Sequence, residues 1–225
     1  MTTISIRGTI VSSDDAWVYE WFGIEATSPN AVRNGIEGAK GGDLSVEINS
    51  GGGDVFAGSE IYALLKDYPG NVTTRILGIA ASAASVIAMA GDRVLIAPTA
   101  QITIHNVSSL TTGDYRDHEH EAGVLKNYNK SIANAYMLKS GMSQEELLEL
   151  MNKESWFTAQ EAKELKLADE IMFDNSYAFA ASASGQMLPR EVINKLKKDR
   201  TMELQQRKYI AKLNYLKLKG GIIDV

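Results

Sequence analysis

The chain has 225 residues, of which 44% are hydrophobic and 23% charged, a composition typical of a globular protein with one main core. It contains no cysteine, which excludes disulfides, thiolate metal sites and cysteine nucleophiles. The net charge is −5, yet ten of the 23 basic residues and only four of the 28 acidic residues lie at 190–225. This distribution predicts an acidic body with a basic tail, and we expect no nucleic acid partner.

One long uncharged run, at residues 76–91, has 16 residues and is rich in Ala and Ser. A membrane span needs about 20 predominantly apolar residues, so this run predicts a buried segment instead. The first residues lack the basic and then apolar pattern of a secretory signal. We therefore expect no membrane contact and a cytoplasmic location.

Alternation and helix-start signals predict the first elements in chain order. A strand covers residues 4–11, and a helix begins at Ser28 with Pro29 in its first turn. A second strand at residues 43–48 leads through a glycine loop at 49–53 into another helix. Strand, loop and helix in this order are typical of an α/β protein.

The same order repeats further along the chain. Strands at residues 72–77 and 93–98 flank a small-residue helix at 80–91, and a short extended segment follows at 102–105. Strands that alternate with helices imply crossover connections. The sequence therefore predicts a largely parallel sheet that is covered by helices on both faces.

A single long helix is predicted from Tyr115 to Ser140, ending at Gly141. Its apolar positions recur every three or four residues and form a stripe. The stripe consists of Ala122, Leu125, Tyr128, Ile132, Ala135 and Leu138. A helix of this length on a small body needs a partner to cover the stripe, so we expect an oligomer.

Capping boxes at 143–146 and 158–161 predict two shorter helices that follow. We expect one α/β domain at residues 1–175 and a flexible linker rich in Ala and Ser at 176–187. A basic helical tail is predicted at residues 188–225.

The glycine loop at residues 49–53 has three interpretations. Its backbone amides could bind a phosphate at the start of a helix, but the lysine of a P-loop and the GxGxxG spacing are both absent. It could also be a tight turn that needs positive φ. The third interpretation is an oxyanion hole, in which the amides face developing negative charge.

Ser82 lies where a helix is predicted to begin after a strand, so that its hydroxyl could face a cleft. The usual GxSxG pattern of a nucleophile elbow is absent, and small neighbours also fit a helix that packs closely on a sheet. Ser85, one turn further on, is expected to face the core.

His105 closes an extended segment and could reach the same cleft, although a lone histidine also fits a structural role. His118 and His120 lie two residues apart, on different faces of the long helix, which argues against a shared metal ion. We expect neither a metal nor a cofactor. A serine, a histidine and an acid spread along the chain suggest nucleophilic catalysis.

Four ordered motifs, SGGGDVFAG, GIAASAAS, ITIHN and ESWFTAQEAKELKLADEI, resemble the Clp protease proteolytic-subunit family. The resemblance extends over residues 4–172. Within the family, the motifs are most similar to those of the Clp-like head maturation proteases of tailed bacteriophages. It implies a Clp-like, crotonase-related α/β fold of repeated ββα units. It also implies that the helix at 115–140 protrudes as a handle through which homo-oligomeric rings stack.

The resemblance further implies a catalytic triad and an oxyanion hole. Ser82 matches the family's nucleophile, and His105 matches its general base. Glu154 occupies the position of the third member of the triad. Gly53 and Ala83 match the residues whose amides form the oxyanion hole.

Three departures from the family pattern stand out. Glu154 replaces the usual aspartate, and the next acid along the chain, Asp169, matches a structural position. Gly51 replaces the proline that often precedes the glycine pair. The chain begins directly at the first core strand, without the segment that engages an ATP-driven unfoldase, so we expect no unfoldase partner and no ATP requirement.

The resemblance implies a serine endopeptidase that cuts phage capsid or scaffold protein during head assembly, in the host cytoplasm or the procapsid. A Ser–Lys peptidase or an acyl-CoA enzyme would leave His105 unexplained. A catalytically inactive ring that acts as an assembly factor is the alternative from another class. The basic tail could bind an acidic capsid surface, be removed by self-cleavage, or be a solvated helix.

Overall fold

The computed structural model describes residues 1–173 together with Met202 and Ile210. Of the described residues, those at 1–20 and 24–173 belong to one compact unit. Apart from those two positions, the predicted linker at 176–187 and the predicted tail at 188–225 lie outside the described residues. No helix in the described part of the chain is long and apolar enough to cross a bilayer.

The described residues form eight strands and seven helices. The strands are β1 (Thr2–Ile10), β2 (Ala26–Thr27), β3 (Leu44–Gly53), β4 (Val72–Ala81), β5 (Arg93–Ile96), β6 (Gln101–Ile104), β7 (Ser155–Thr158) and β8 (Glu170–Ile171). The helices are α1 (Ala16–Phe22), α2 (Pro29–Ala39), α3 (Val55–Lys66), α4 (Ala83–Ala88), α5 (Tyr115–Ser140), α6 (Gln144–Asn152) and α7 (Ala159–Glu164).

The predicted α/β fold with a largely parallel sheet is confirmed. Six strands lie in the order β2-β1-β3-β4-β5-β8, and all of their pairings are parallel. β4 pairs with β5 through residues 73–76 and with β6 through residues 79–81. β7, which the sequence did not predict as a strand, then pairs with β6 in the antiparallel direction.

Strand β3 continues through the glycines that were predicted to form a loop. Gly52 pairs with Thr9 and Gly53 pairs with Ile10, so β1 and β3 remain neighbours to the end of β3. The glycines carry no side chains whose alternation could reveal the strand, and the pairing of the backbone decides the outcome. The predicted loop was therefore wrong, and Asp54 caps α3 directly.

Along the central strands, buried apolar residues alternate with more exposed polar ones, so the core lies mainly on one face there and the expected cover on both faces was wrong. Leu44, Val46 and Ile48 of β3 are all buried, as is Ile76 of β4. On the opposite face, Glu47 of β3 pairs with Arg75 of β4 at 3.0 Å, and both side chains are partly exposed. The central strands are therefore held rigidly, and their carboxyl ends are fixed relative to one another.

The local signals for helix ends are confirmed. Ser28 caps α2, and the capping boxes at Ser143 and Thr158 are both formed. α5 begins after its cap at Asp114 and ends at Gly141, whose φ of 76° is the left-handed conformation that favours glycine.

The predicted apolar stripe of α5 holds only in part. Ile132 and Ala135 are buried, but Ala122 is exposed and Leu138 is 77% exposed. The buried face instead includes Tyr136, because the C-terminal half of α5 packs over α4 and α6. The N-terminal half of α5 is mainly exposed, and its coverage by a partner stays a prediction.

Two helical glycines with ordinary φ differ in how closely they are packed. A Cβ at Gly58 of α3 would lie 2.8 Å from Ala83 Cβ, whereas a Cβ at Gly38 of α2 would meet nothing within 4 Å. We expect Gly58→Ala to lower the free energy of unfolding by about 1–3 kcal/mol, because it overpacks the contact between α3 and α4. Gly38→Ala is expected to raise it by about 0.4–1 kcal/mol.

Denaturant titration at one fixed protein concentration, followed by circular dichroism, measures both effects. Equal midpoints for Gly58→Ala and Gly38→Ala would contradict the close packing of α3 on α4.

Candidate active site

The carboxyl ends of three parallel strands meet at one edge of the sheet. Ser50 of β3 pairs with Ala80 of β4, and Ala81 of β4 pairs with Thr103 of β6. Residues at or just beyond the ends of these strands must therefore lie side by side. They open onto a cleft of about 690 Å³ whose lining includes Gly53, Ser82, Ala83 and His105.

Ser82 forms the turn between β4 and α4 in a backbone conformation that is rare for a residue with a side chain. Its φ is 54° and its ψ is −129°, outside the regions that L-residues commonly occupy. Such strain is maintained only where the surroundings determine it. A sharp strand-to-helix turn of this kind presents a serine hydroxyl to a cleft, although the GxSxG pattern is missing.

Hydrogen bonds on both sides fix the Ser82 backbone. Its N–H donates to Thr103 O at 3.1 Å. Its carbonyl accepts from Ser85 N at 2.9 Å, from Val86 N at 3.3 Å and from Ser85 Oγ at 2.7 Å. The strained turn is therefore tied to β6 on one side and to the first turn of α4 on the other.

Gly52 and Gly53 allow β3 to approach this turn. A Cβ at Gly52, where φ is 92°, would lie 2.7 Å from both Ala81 O and Ser82 Cβ. A Cβ at Gly53, where φ is 153°, would collide with the carbonyl oxygen of Ile10. Both positions therefore require glycine, for backbone conformation and for space.

Two backbone amides are placed at the cleft by this arrangement. Gly53 at the end of β3 lines the cleft, and the next residue, Asp54, donates its N–H to Ile10 O at 2.8 Å. Ala83 is the first residue of α4, where an N–H has no acceptor within the helix. Such amides can stabilise negative charge that develops on a substrate.

His105 directly follows β6 and is half-buried. The residues after it are held by two side chains from other elements. Asn106 Nδ2 donates to Asn152 Oδ1 at 2.8 Å, and Val107 N donates to Asn129 Oδ1 at 2.8 Å. These contacts fix the loop that carries the imidazole beside the Ser82 turn.

Glu154 directly precedes β7 at the same edge of the sheet, but it does not line the cleft. Ile104 pairs with Ser155, so the antiparallel register places Glu154 opposite His105. Its φ is 50° and its side chain is exposed. Within the described part of the chain, the side chains of Ser82, His105 and Glu154 make no hydrogen bond to one another.

Asp169 lies outside the cleft and has other partners. Its carboxylate accepts from Val94 N and from Lys139 Nζ, each at 2.6 Å. His118 and His120 are exposed on α5. Among the described residues, no cluster of His, Asp or Glu is able to hold a metal ion.

The structure adds cleft residues that sequence reasoning missed. Asp15, just before α1, and Glu121 of α5 line the cleft together with Asp54. The rings of Phe56 and Tyr128 meet edge to face at 5.3 Å on the same cleft. Trp17, Tyr19 and Trp21 recur at every second residue, which is a strand spacing and would not have revealed α1. No local signal links Phe56 to Tyr128.

The family model described as Clp protease matches residues 37–175 of the chain. Over 166 residues the chain is 31% identical to ATP-dependent Clp protease proteolytic subunit 1 of Chlamydia abortus, covering 72% of this chain and 80% of that protein. Over 134 residues it is 34% identical to the ATP-dependent Clp protease proteolytic subunit of Bacteroides fragilis, covering 59% of this chain and 65% of that protein.

A relative from Streptomyces avermitilis, ATP-dependent Clp protease proteolytic subunit 1, is 34% identical over 133 residues, which cover 58% of this chain and 61% of that protein. The matched segment thus spans less than two thirds of two of these three relatives. The family match extends over more than half of the chain and includes the turn, the histidine and the strand ends described above. The chain belongs to the Clp protease family, whose membership indicates a serine-type peptidase.

Proposed function

We propose that this chain is a serine endopeptidase with Ser82 as nucleophile and His105 as general base. The observation that carries the proposal is the strained turn at Ser82, which opens onto the same cleft as His105 at the ends of two adjacent parallel strands. A serine needs such a neighbouring base because a free hydroxyl is a weak nucleophile.

In the proposed reaction, Ser82 Oγ attacks the carbonyl carbon of the substrate while His105 takes the hydroxyl proton. The N–H groups of Gly53 and Ala83 donate to the oxyanion that forms. Cleavage of the C–N bond leaves an ester on Ser82, and the imidazolium returns its proton to the departing amine. Water then attacks the ester with His105 again as the base, which restores the free serine.

The alternative function, a catalytically inactive ring that acts as an assembly factor, draws on one observation. Glu154 is exposed, does not line the cleft, and makes no hydrogen bond to His105 in the described part of the chain. We favour the enzyme, because the register places the Glu154 backbone opposite His105 and the longer side chain of glutamate can turn back to the imidazole. In either case we propose a homo-oligomeric ring in which the exposed half of α5 contacts other subunits.

The role of Glu154 can be tested by substitution. Glu154→Gln is expected to lower kcat by about 10–100-fold with little change in KM, because a neutral amide no longer stabilises the imidazolium that forms in the transition state. Glu154→Asp keeps the charge but shortens the side chain by one methylene, so its kcat is expected to lie between those of Glu154→Gln and the wild type. Steady-state hydrolysis of a fluorogenic peptide measures both.

Asp169→Asn is the matched control for Glu154→Gln. It weakens the pairing with Lys139 and should lower stability while kcat is retained. An unchanged kcat in Glu154→Gln would show that Glu154 is not the third member of the triad.

The charge of the cleft predicts a preference among peptides. Its described lining includes Asp15, Asp54 and Glu121 and contains neither Lys nor Arg. We expect peptides with Lys beside the scissile bond to have a kcat/KM a few-fold higher than matched peptides with Glu, since each exposed charge pair contributes about 0.2–1 kcal/mol. Added salt should reduce the difference.

Glu121→Gln should reduce the difference in kcat/KM between the Lys peptide and the Glu peptide in the same assay. Equal kcat/KM values for both peptides at low salt would contradict this preference.

As the finer part of the proposal, the substrate is phage capsid or scaffold protein, cut during head assembly. The resemblance of the motifs to phage head proteases supports it. A phage that encodes the Ser82→Ala chain is expected to accumulate heads with full-length capsid or scaffold protein, which mass spectrometry of purified particles would detect. Normal processing in that phage would contradict the substrate assignment.

A further inference from the structure

A buried chain of hydroxyl groups connects α5 to the Ser82 turn. Tyr136 of α5 lies 2.8 Å from Ser85 of α4, oxygen to oxygen. Ser85 Oγ in turn lies 2.7 Å from the carbonyl oxygen of Ser82. Tyr136 is 1% exposed and Ser85 is fully buried, so both hydroxyls depend on these partners.

Counting the hydroxyl protons shows which group donates in each of these hydrogen bonds. The single hydroxyl proton of Ser85 is donated to Ser82 O, because a carbonyl oxygen only accepts. Ser85 Oγ must then accept from Tyr136, which is the donor. Burial raises the pKa of Tyr136 above its ordinary value, so the phenol keeps its proton throughout the working pH range. The hydrogen bonds therefore run from Tyr136 through Ser85 to Ser82.

This series of hydrogen bonds ends at the peptide group that carries an oxyanion-hole amide. Ser82 C=O and Ala83 N–H belong to one planar trans peptide, so they point in opposite directions. Donors that fix Ser82 O on the core side therefore fix Ala83 N–H on the cleft side. Hydrogen bonds to a carbonyl also polarise the peptide and strengthen its N–H as a donor.

We propose that Tyr136 and Ser85 are positioning residues that hold the Ser82–Ala83 peptide with its N–H aimed at the substrate oxyanion. The inference rests on the proposed function, and it gives α5 a direct connection to the catalytic step. Two further donors, Ser85 N and Val86 N, reach the same carbonyl, so loss of one hydroxyl weakens the orientation without removing it.

Kinetics of substituted proteins test the proposal. Ser85→Ala is expected to lower kcat about tenfold with KM within about twofold, less than the 10²–10³ lost when an oxyanion-hole donor is removed outright. Tyr136→Phe should lower kcat by a smaller factor. The double variant should match Ser85→Ala, because Tyr136 acts only through Ser85.

Stability separates this role from a purely structural one. Ser85→Ala leaves the Tyr136 hydroxyl buried without an acceptor, and the double variant removes that hydroxyl. The double variant should therefore be more stable than Ser85→Ala while its kcat stays equally low. If kcat instead recovers together with stability, the positioning role is wrong.

Thr74→Val is the matched control. Thr74 is fully buried, and its hydroxyl donates at 2.9 Å to Ala88 O, a carbonyl at the far end of the same helix α4. This variant should lose stability and keep its kcat. Equal kcat values for Ser85→Ala and Thr74→Val would overturn the inference.

A peptide boronic acid gives an independent measurement, because its tetrahedral adduct on serine mimics the transition state. Its inhibition constant should rise in Ser85→Ala by the factor that kcat falls, and an unchanged constant would count against the inference. Full activity in Ser85→Ala together with no activity in Ser82→Ala would overturn this inference alone. Hydrolysis that survives Ser82→Ala would overturn the proposed function as well.

Discussion

The close approach of three backbones at Ser82 is the constraint on which the rest of the site depends. β3 comes so near that a Cβ at Gly52 would collide with the turn, and Thr103 of β6 accepts the Ser82 N–H from the other side. Held between these strands, Ser82 adopts a φ of 54° that it would not adopt alone. The strain is distributed over a rigid parallel sheet, and the hydroxyl gains a fixed direction.

Local signals predicted the parts of the fold that are determined locally. The cap at Ser28, the long helix that ends at Gly141 and the strand-helix alternation were all readable, because each depends on a few neighbouring residues. Ser82 and His105 were also predicted from the sequence, because Ser82 follows a predicted strand and His105 closes an extended segment. Their position on one cleft follows from the parallel register of β4 and β6.

Contacts between distant residues were beyond the sequence pattern. Tyr136 and Ser85 are 51 positions apart, and no spacing rule relates a residue of one helix to a residue of another. The extension of β3 through Gly53 depends on its pairing with β1. The two strands are far apart in sequence, since the hydrogen bond from Ser50 Oγ to Gly8 O joins residues 42 positions apart. The exposure of Leu138 similarly reflects how α5 packs, which an apolar stripe alone does not determine. Glu154 stays a prediction because backbone register sets its position but not the direction of its side chain.

Intact-mass analysis after treatment with a fluorophosphonate tests the central claim, an activated nucleophile at Ser82, most directly. The wild-type chain should gain the mass of one adduct, Ser82→Ala should gain none, and His105→Ala should react far more slowly because the general base is lost. A folded wild-type chain that gains no adduct, or a Ser82→Ala chain that still gains one, would contradict the account.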